Sequence, residues 1–290
     1  MSRKEHKADT EQIAHILYAL ICVLRGDQGL SDIMMTSKLR NARIVAAAAL
    51  FVAALSADSS SQSDKSAGLD PNAEFQFVRL AYTGAGMQYS RRDRWLTDWP
   101  EAEHYLLSGV KRLTRIATAD EGTYLKIMDE RLYDFPWLYA VEVGGWSLNE
   151  EEAARLRDYL LRGGFLMVDD FHGSMEWSVF VEGMRRIFPD RTIVDVPSTD
   201  PIFHVAYDLD EHTPIPGIQF VYSGVPYERD GFEPHWRGIY DDDGRLMVMI
   251  NFNMDMGDAW EHADVPEYAL QYTTRAYQYA INYILYAMTH

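Results

Sequence analysis

The chain has 290 residues, of which 47% are hydrophobic and 13% aromatic, enough to bury a sizeable core and to exclude disorder for most of its length. Its formal net charge of −17 argues against a protein that binds nucleic-acid phosphates or anionic lipid, because both need a basic surface. The single cysteine, Cys22, lies near the N-terminus, so the main domain has no disulfide, zinc–thiolate site or cysteine nucleophile.

Residues 35–57 have the pattern of a secretory signal peptide. Basic residues between Lys38 and Arg43 precede 12 apolar residues from Ile44 to Leu55, and small residues follow. The apolar run is too short for an ordinary membrane span, although an uncleaved anchor or a buried helix remains an open alternative. We therefore expect cleavage between about Ala54 and Ala57, a periplasmic or secreted location, and no integral membrane span after cleavage.

Two further segments flank the signal peptide. An export signal should begin the chain, so we interpret residues 1–34 as a misassigned extension, with the true start at Met34 or Met35. Residues 58–73 are rich in serine and aspartate and are predicted to form a flexible linker. Residues 74–290 are expected to form a single α/β domain.

The apolar pattern of this domain predicts strands that alternate with helices. Ser147 to Glu150 matches a capping box, and Gly163–Gly164 is a helix stop signal. The succession places the strands in a parallel sheet covered on both faces, with the second and third strands as neighbours. In chain order the expected elements are a strand at 74–82, a helix at 101–116, a strand at 138–143, a helix at 149–161, a strand at 165–168 and a helix at 174–187.

The C-terminal part is less regular. A proline-rich stretch at 188–233 is predicted to form loops with short strands, and 235–240 pairs with 245–250 as a hairpin around Asp-Asp-Asp-Gly. A final helix at 268–288 carries tyrosines at helical spacing, which we interpret as a stripe that faces the core rather than a ligand.

A first group of polar side chains directly follows the strand at 165–168. Asp169, Asp170 and His172 stand where ligands bind in open α/β sheets, beyond the carboxyl ends of the strands. A carboxylate beside an imidazole suits an acid–base pair or two metal ligands. The alternative, in which one aspartate caps the next turn and the other faces solvent, stays open.

A second group lies at 251–262, after another apolar strand. Its oxygen-rich side chains suit a hard divalent cation. An EF-hand is excluded, because Met256 stands at its glycine position and His262 at its closing glutamate. The alternative is a hydrogen-bonded loop that Trp260 holds in place. The candidate residues of this group are Asn253, Asp255, Asp258, Trp260 and Glu261.

Three other residues are weaker candidates. Gly144 and Gly145 follow the strand at 138–143, where their backbone N–H groups could hold an anion, although a simple turn also needs glycine. His204 lies in the irregular region and could lean over the site; a structural role is the alternative.

Four segments carry a family resemblance: Phe75–Tyr82, Trp95–Pro100, Leu156–Asp170 and Asn253–Glu261. Together they resemble the bacterial domain of unknown function 4159, from about Phe75 to the C-terminus. More distantly, a helix ending in Gly-Gly before a buried strand is similar to class I glutamine amidotransferase-like domains. That resemblance implies a flavodoxin-like three-layer α/β sandwich with a mostly parallel sheet. The cysteine of those amidotransferases is missing here, which excludes glutaminase activity.

These observations favour a binding or interaction module of the cell envelope. Its ligand is a small polar molecule or an envelope protein, and a divalent cation is a candidate cofactor. The ligand-binding candidates are Gly144, Gly145, Asp169, His204, Asn253, Asp255 and Trp260. The alternative is a hydrolase, metal-assisted or not, that acts on a polar or carbohydrate-like substrate. Its catalytic candidates are Asp170, His172, Asp258 and Glu261, with Asp255 beside them.

Overall fold

The computed structural model describes residues 69–84 and 94–290. The predicted extension, the signal peptide and most of the linker lie outside the described residues. Among the described residues, no helix is long and apolar enough to cross a membrane.

The centre of the fold is a seven-stranded sheet with the strand order β2-β1-β3-β4-β7-β6-β5. The first five strands in this order are parallel, and β6 runs antiparallel to both β7 and β5. The prediction of a mostly parallel sheet is therefore confirmed. The strands are β1 (Val78–Ala81), β2 (Thr123–Lys126), β3 (Trp137–Val141), β4 (Phe165–Asp169), β5 (Val194–Asp195), β6 (His235–Tyr240) and β7 (Leu246–Phe252).

Helices cover both faces of the sheet and enclose two apolar cores. Side chains alternate between the cores along each buried strand, so Tyr139 and Met167 pack on one face while Leu138 and Val168 pack on the other. Helices α1, α5 and α6 pack on the first face, and α2 and α3 on the second. The helices are α1 (Glu101–Leu113), α2 (Glu150–Leu161), α3 (Gly173–Ile187), α4 (Gln219–Ser223), α5 (Met256–Glu261) and α6 (Leu270–Thr289). This is the predicted three-layer architecture.

The unit β3–α2–β4 confirms the predicted pairing of neighbouring parallel strands, with Trp137 opposite Phe165 and Val141 opposite Asp169. The capping box begins two residues later than the sequence pattern predicts. Asn149, not Ser147, caps α2 and pairs with Glu152.

The start of α3 also differs from the sequence-based expectation, which places Ser174 as its cap. Ser174 does not cap α3: its hydroxyl donates to Asp230, while His172 stands at the N-cap position without a side-chain cap. The short helix α5 and the strand β2 were not predicted. The hairpin of β6 and β7 and the final helix are confirmed, and Tyr279 and Tyr283 are buried in the core as expected.

Candidate functional site

Sharp backbone turns collect at the carboxyl edge of the sheet. Glu142, Asp170 and Asn253 are the first residues after β3, β4 and β7, and each has a positive φ, of 56°, 48° and 60°. Asp98 and Arg229, with φ values of 62° and 51°, are the other non-glycine residues of this kind in the part of the chain described. Left-handed backbone is costly for such residues, and its concentration in one region indicates a functional site.

Three carboxylates meet at this edge. Asp170 after β4, Asp255 after β7 and Asp98 before α1 present oxygens that all lie within 4.8 Å of one another. Asp258 and Glu261 on α5 extend the group, because both act electrostatically on Asp98. We call these five residues the acidic cluster. The two polar groups that the sequence placed after separate strands therefore do come together.

Burial and neighbouring carboxylates raise the pKa values of three members of the acidic cluster, Asp98, Asp255 and Glu261. The pKa of Asp98 is raised well above its ordinary value, first by burial and then by Asp170 and Asp258. Burial, followed by the charges of Asp258 and Asp170, has the same effect on the pKa of Asp255. Burial also raises the pKa of Glu261, which His262 partly opposes. The free cluster therefore favours partial protonation or a bound cation.

Asp169 is fully buried and joins β4 to α5. One of its oxygens accepts hydrogen bonds from the Met256 and Gly257 N–H groups, at 2.8 and 3.1 Å, and from the Tyr139 hydroxyl at 3.0 Å. The other oxygen has no partner among the described residues. Burial and then the charge of Asp170 raise the pKa of Asp169 to about 7. One oxygen of Asp169, a candidate ligand-binding residue, therefore holds the start of α5.

Local hydrogen bonds hold the acidic side chains at the start of helix α5 in place. Asp255 caps the helix by accepting from the Asp258 N–H at 2.8 Å, and Asp258 accepts from the Ile218 N–H at 2.6 Å. Trp260, a predicted ligand contact, instead lies fully buried against the rings of Tyr139 and Phe77. Its role is to anchor α5 on the sheet.

A histidine extends the site on the other side of Asp170. His172 Nε2 lies 3.1 Å from Asp170 Oδ1 and 3.9 Å from Glu228 Oε1. Burial alone would lower the pKa of His172, but the hydrogen bond and charge of Asp170 outweigh it, so the pKa is raised. Burial also raises the pKa of Glu228. These three residues form a second group whose ligand atoms lie within 4.8 Å of one another.

A charge network borders this histidine. Glu176 accepts from the His172 backbone N–H at 2.8 Å and pairs with Arg94 at 2.8 Å and with Arg229 at 2.6 Å. Arg94 also pairs with Glu142. The network ties α3 to the turns that follow β3 and β4.

The glycine turn after β3 packs against this network. A side chain at Gly144 would meet Glu176, and one at Gly145 would meet Arg94. The Gly145 N–H donates to the Glu142 carbonyl at 3.0 Å. Gly145 is therefore part of a simple turn, because its N–H, which could otherwise bind an anion, already donates to a carbonyl.

Two other candidates are bonded to their surroundings. Asn253 accepts from the Gly173 N–H at 2.9 Å and donates to the Glu233 carbonyl at 2.7 Å. His204 lies 2.8 Å from the Ser198 carbonyl and 3.1 Å from Asp208. Asn253 therefore joins the start of α3 to the segment before β6, whereas the ring of His204 is held by residues of its own loop.

Sequence reasoning missed two members of the site, Asp98 and Glu228. Both lie in irregular segments without a periodic pattern. Two of the cavities on the described surface do not contain the acidic cluster. These have volumes of about 420 and 570 Å³, and no residue of the acidic cluster lines either one.

Fold and site together define a three-layer α/β protein with a carboxylate-rich site at the carboxyl edge of a mostly parallel sheet. The chain belongs to the family described as domain of unknown function DUF4159, whose profile matches residues 76–288. The family resemblance carried by the four sequence segments is thereby confirmed. A comparison with curated proteins finds no match.

Proposed function

We propose that the domain is a ligand-binding module that holds a hard divalent cation between Asp98, Asp170 and Asp255. The observation that carries this proposal is the convergence of three carboxylates from three separate segments within 4.8 Å. No lysine or arginine of the described chain forms an ion pair with any of them. Like charges at such short range are unfavourable unless a proton or a cation intervenes.

The chemistry of the donors favours Mg²⁺, Mn²⁺ or Ca²⁺. These cations prefer oxygen ligands, and Mg²⁺ in particular keeps several waters when proteins bind it through a few carboxylates. Three carboxylates leave coordination positions for the oxygens of a polar ligand. The buried Oδ2 atom of Asp98 has no hydrogen-bond partner in the described chain, which suits an oxygen kept free for a ligand.

A metal-assisted hydrolase is the second candidate, and the pair of His172 and Asp170 favours it. If Asp170 held a cation, the His172 imidazole, 3.1 Å from that carboxylate, would be close enough to act as a general base in hydrolysis. The binding module needs only the cation and an open ligand position. A hydrolase needs His172 as well, so a His172→Gln variant that still binds Mn²⁺ separates the two candidates in assays on polar or carbohydrate-like esters and glycosides.

The experiment that tests the cation proposal compares thermal unfolding of chelator-treated protein with and without Mn²⁺. A cation at 100 times its dissociation constant should stabilise the fold by about 2.7 kcal/mol. We expect this stabilisation to be lost in Asp98→Asn and to persist in Asp190→Asn, an exposed aspartate outside the cluster. Equal stabilisation of both variants, or none in the wild type, would contradict the proposal.

We also propose that the protein is exported and that its binding partner is a polar envelope ligand or an envelope protein. The support is the basic stretch followed by 12 apolar residues and small residues, all outside the described residues. N-terminal sequencing of protein from the envelope fraction tests it. Cleavage between about Ala54 and Ala57 is expected, and a chain that begins near Met1 would refute export.

A further inference from the structure

The smaller of these two cavities, of about 420 Å³, lies at the N-terminal end of α1. Its volume falls in the range of small-molecule sites. It is open to solvent and combines two kinds of side chain. The aromatic ones are Trp99, His104 and Tyr105, and the acidic ones are Glu101, Asp120 and Glu121.

The cavity keeps an excess of negative charge. Lys111 pairs with Asp120, but neither Glu101 nor Glu121 forms an ion pair with any residue in the described ranges. The N-terminus of α1 contributes roughly half a positive charge, which does not offset two carboxylates. An anionic ligand is therefore disfavoured, and a cationic one is attracted.

The carboxylates are not arranged for a bare metal ion. Among the described residues, the three groups of ligand atoms that converge within 4.8 Å do not include Glu101, Asp120 or Glu121. A larger cation that spreads its charge over several contacts fits better. Such a cation also gains from aromatic faces, of which tryptophan is the most favourable.

The aromatic side chains of the cavity are held in place. Trp99 packs edge-to-face on Tyr124, with ring centroids 5.8 Å apart, and the buried guanidinium of Arg79 lies over the Trp99 ring, 5.8 Å from its centroid. The hydroxyl of Tyr105 donates to Asp264 at 2.8 Å. A ligand would therefore meet fixed rings and would not have to order them, which lowers the entropic cost of binding.

We propose that this cavity binds an organic ammonium group, held by the charges of Glu101 and Glu121 and by the faces of Trp99 and Tyr105. The cavity is lined by no residue of the acidic cluster, although the charge of Glu101 acts on Glu261 of that cluster, and the proposed contacts include no divalent cation. It gives the domain a second specificity, for amine-bearing ligands. An uncharged butyl compound would gain only apolar contact in this cavity, because it has no charge for the carboxylates or the aromatic faces to attract.

The test is a chemical-shift titration of the Trp99 indole N–H, assigned by Trp99→Phe, in the presence of chelator and 150 mM salt. The probes are n-butylammonium, n-butanol and butyrate, which share a chain and differ in charge. We expect saturable binding of butylammonium only. The Glu101→Gln/Glu121→Gln double variant should weaken it at least tenfold, whereas Glu211→Gln, an exposed glutamate elsewhere, should leave it within twofold.

Either of two results would overturn the proposal. One is binding of n-butanol with an affinity equal to that of butylammonium, which would make the cavity merely apolar. The other is an unchanged butylammonium affinity in the double variant, which would place the cation elsewhere. Both glutamates are exposed, so their replacement is not expected to unfold the protein, and an unchanged far-ultraviolet circular dichroism spectrum checks this.

Discussion

Asp170 and Asp255 follow the neighbouring strands β4 and β7 and present carboxylate oxygens within 4.8 Å of each other. Neither has a lysine or arginine partner among the described residues, and Asp98 completes the group. Repulsion between three such carboxylates destabilises the fold unless a proton or a cation offsets it. A bound cation would offset this repulsion.

Cation affinity should rise with pH. The pKa values of Asp98 and Asp255 are raised by burial and by neighbouring carboxylates, so a cation must displace protons that these groups hold in the free protein. As pH falls through the raised values, affinity should drop by up to about tenfold per pH unit for each displaced proton. Calorimetric titration with Mn²⁺ from pH 5 to pH 7 measures this, and a flat profile would contradict it.

Asp169→Asn should change how stability depends on pH. The folded pKa of Asp169, about 7, lies above its ordinary value of 3.8, so its contribution to stability is full below pH 4 and is lost as pH rises through 7. The steepest loss is about 1.4 kcal/mol per pH unit. Asparagine keeps an oxygen for the Met256 and Gly257 N–H groups but has no proton to lose.

Urea unfolding measures the difference. The variant should gain stability relative to the wild type between pH 5 and pH 8, in metal-free buffer. Asp190→Asn serves as the control and should follow the wild type. If the two curves for Asp169→Asn and the wild type run parallel, the buried carboxyl does not titrate in this range.

The apolar runs and glycine signals were sufficient to predict β3, α2, β4 and their parallel pairing. A short apolar run bounded by turn residues has few alternatives once a capped helix follows it. The meeting of Asp170 with Asp255 also followed, because carboxyl ends of parallel strands share one edge of a sheet.

The rest of the site depended on long-range packing. Asp98 and Glu228 come from loops whose positions no local pattern defines. The helix α5 has only six residues, too few for a periodic signal, although Asp255 followed by Asp258 is a cap pattern that would have indicated it. The strand β2 has four residues and pairs only at the edge with β1, so its sequence carries little information.

The pKa of His172 should depend on its contact with Asp170. Burial lowers its pKa, and the hydrogen bond and charge of Asp170 raise it above the ordinary value of 6.5. Asp170→Asn removes the charge that opposes the effect of burial, so the pKa of His172 should fall. NMR titration of the imidazole Cε1–H group follows it, with His204 as an internal control because Ser198 and Asp208 hold that ring. An unmoved His172 would show that the two side chains are not coupled.

Arg79→Met should destabilise the fold and weaken cation binding together. Arg79 is fully buried, donates to Glu103 at 2.5 Å and to the Trp95 carbonyl at 2.9 Å, and also bonds the Thr97 carbonyl. Its loss leaves a buried carboxylate unpaired, at a cost of about 3–5 kcal/mol. It also releases the segment that leads to Asp98.

The matched control is Lys111→Met, which removes an exposed partner of Asp120. It should change urea unfolding little, because exposed ion pairs contribute little to stability. Equal effects of the two substitutions would mean that the buried pair does not hold the Trp95–Asp98 segment.

The most direct measurement is X-ray diffraction from crystals of the protein grown with Mn²⁺, collected above the manganese absorption edge. The account predicts one anomalous difference peak between the carboxylates of Asp98, Asp170 and Asp255, which disappears in crystals of Asp255→Asn. Ordered carboxylates with no peak between them, or a peak held only by other residues, would contradict the proposal that the acidic cluster binds a cation.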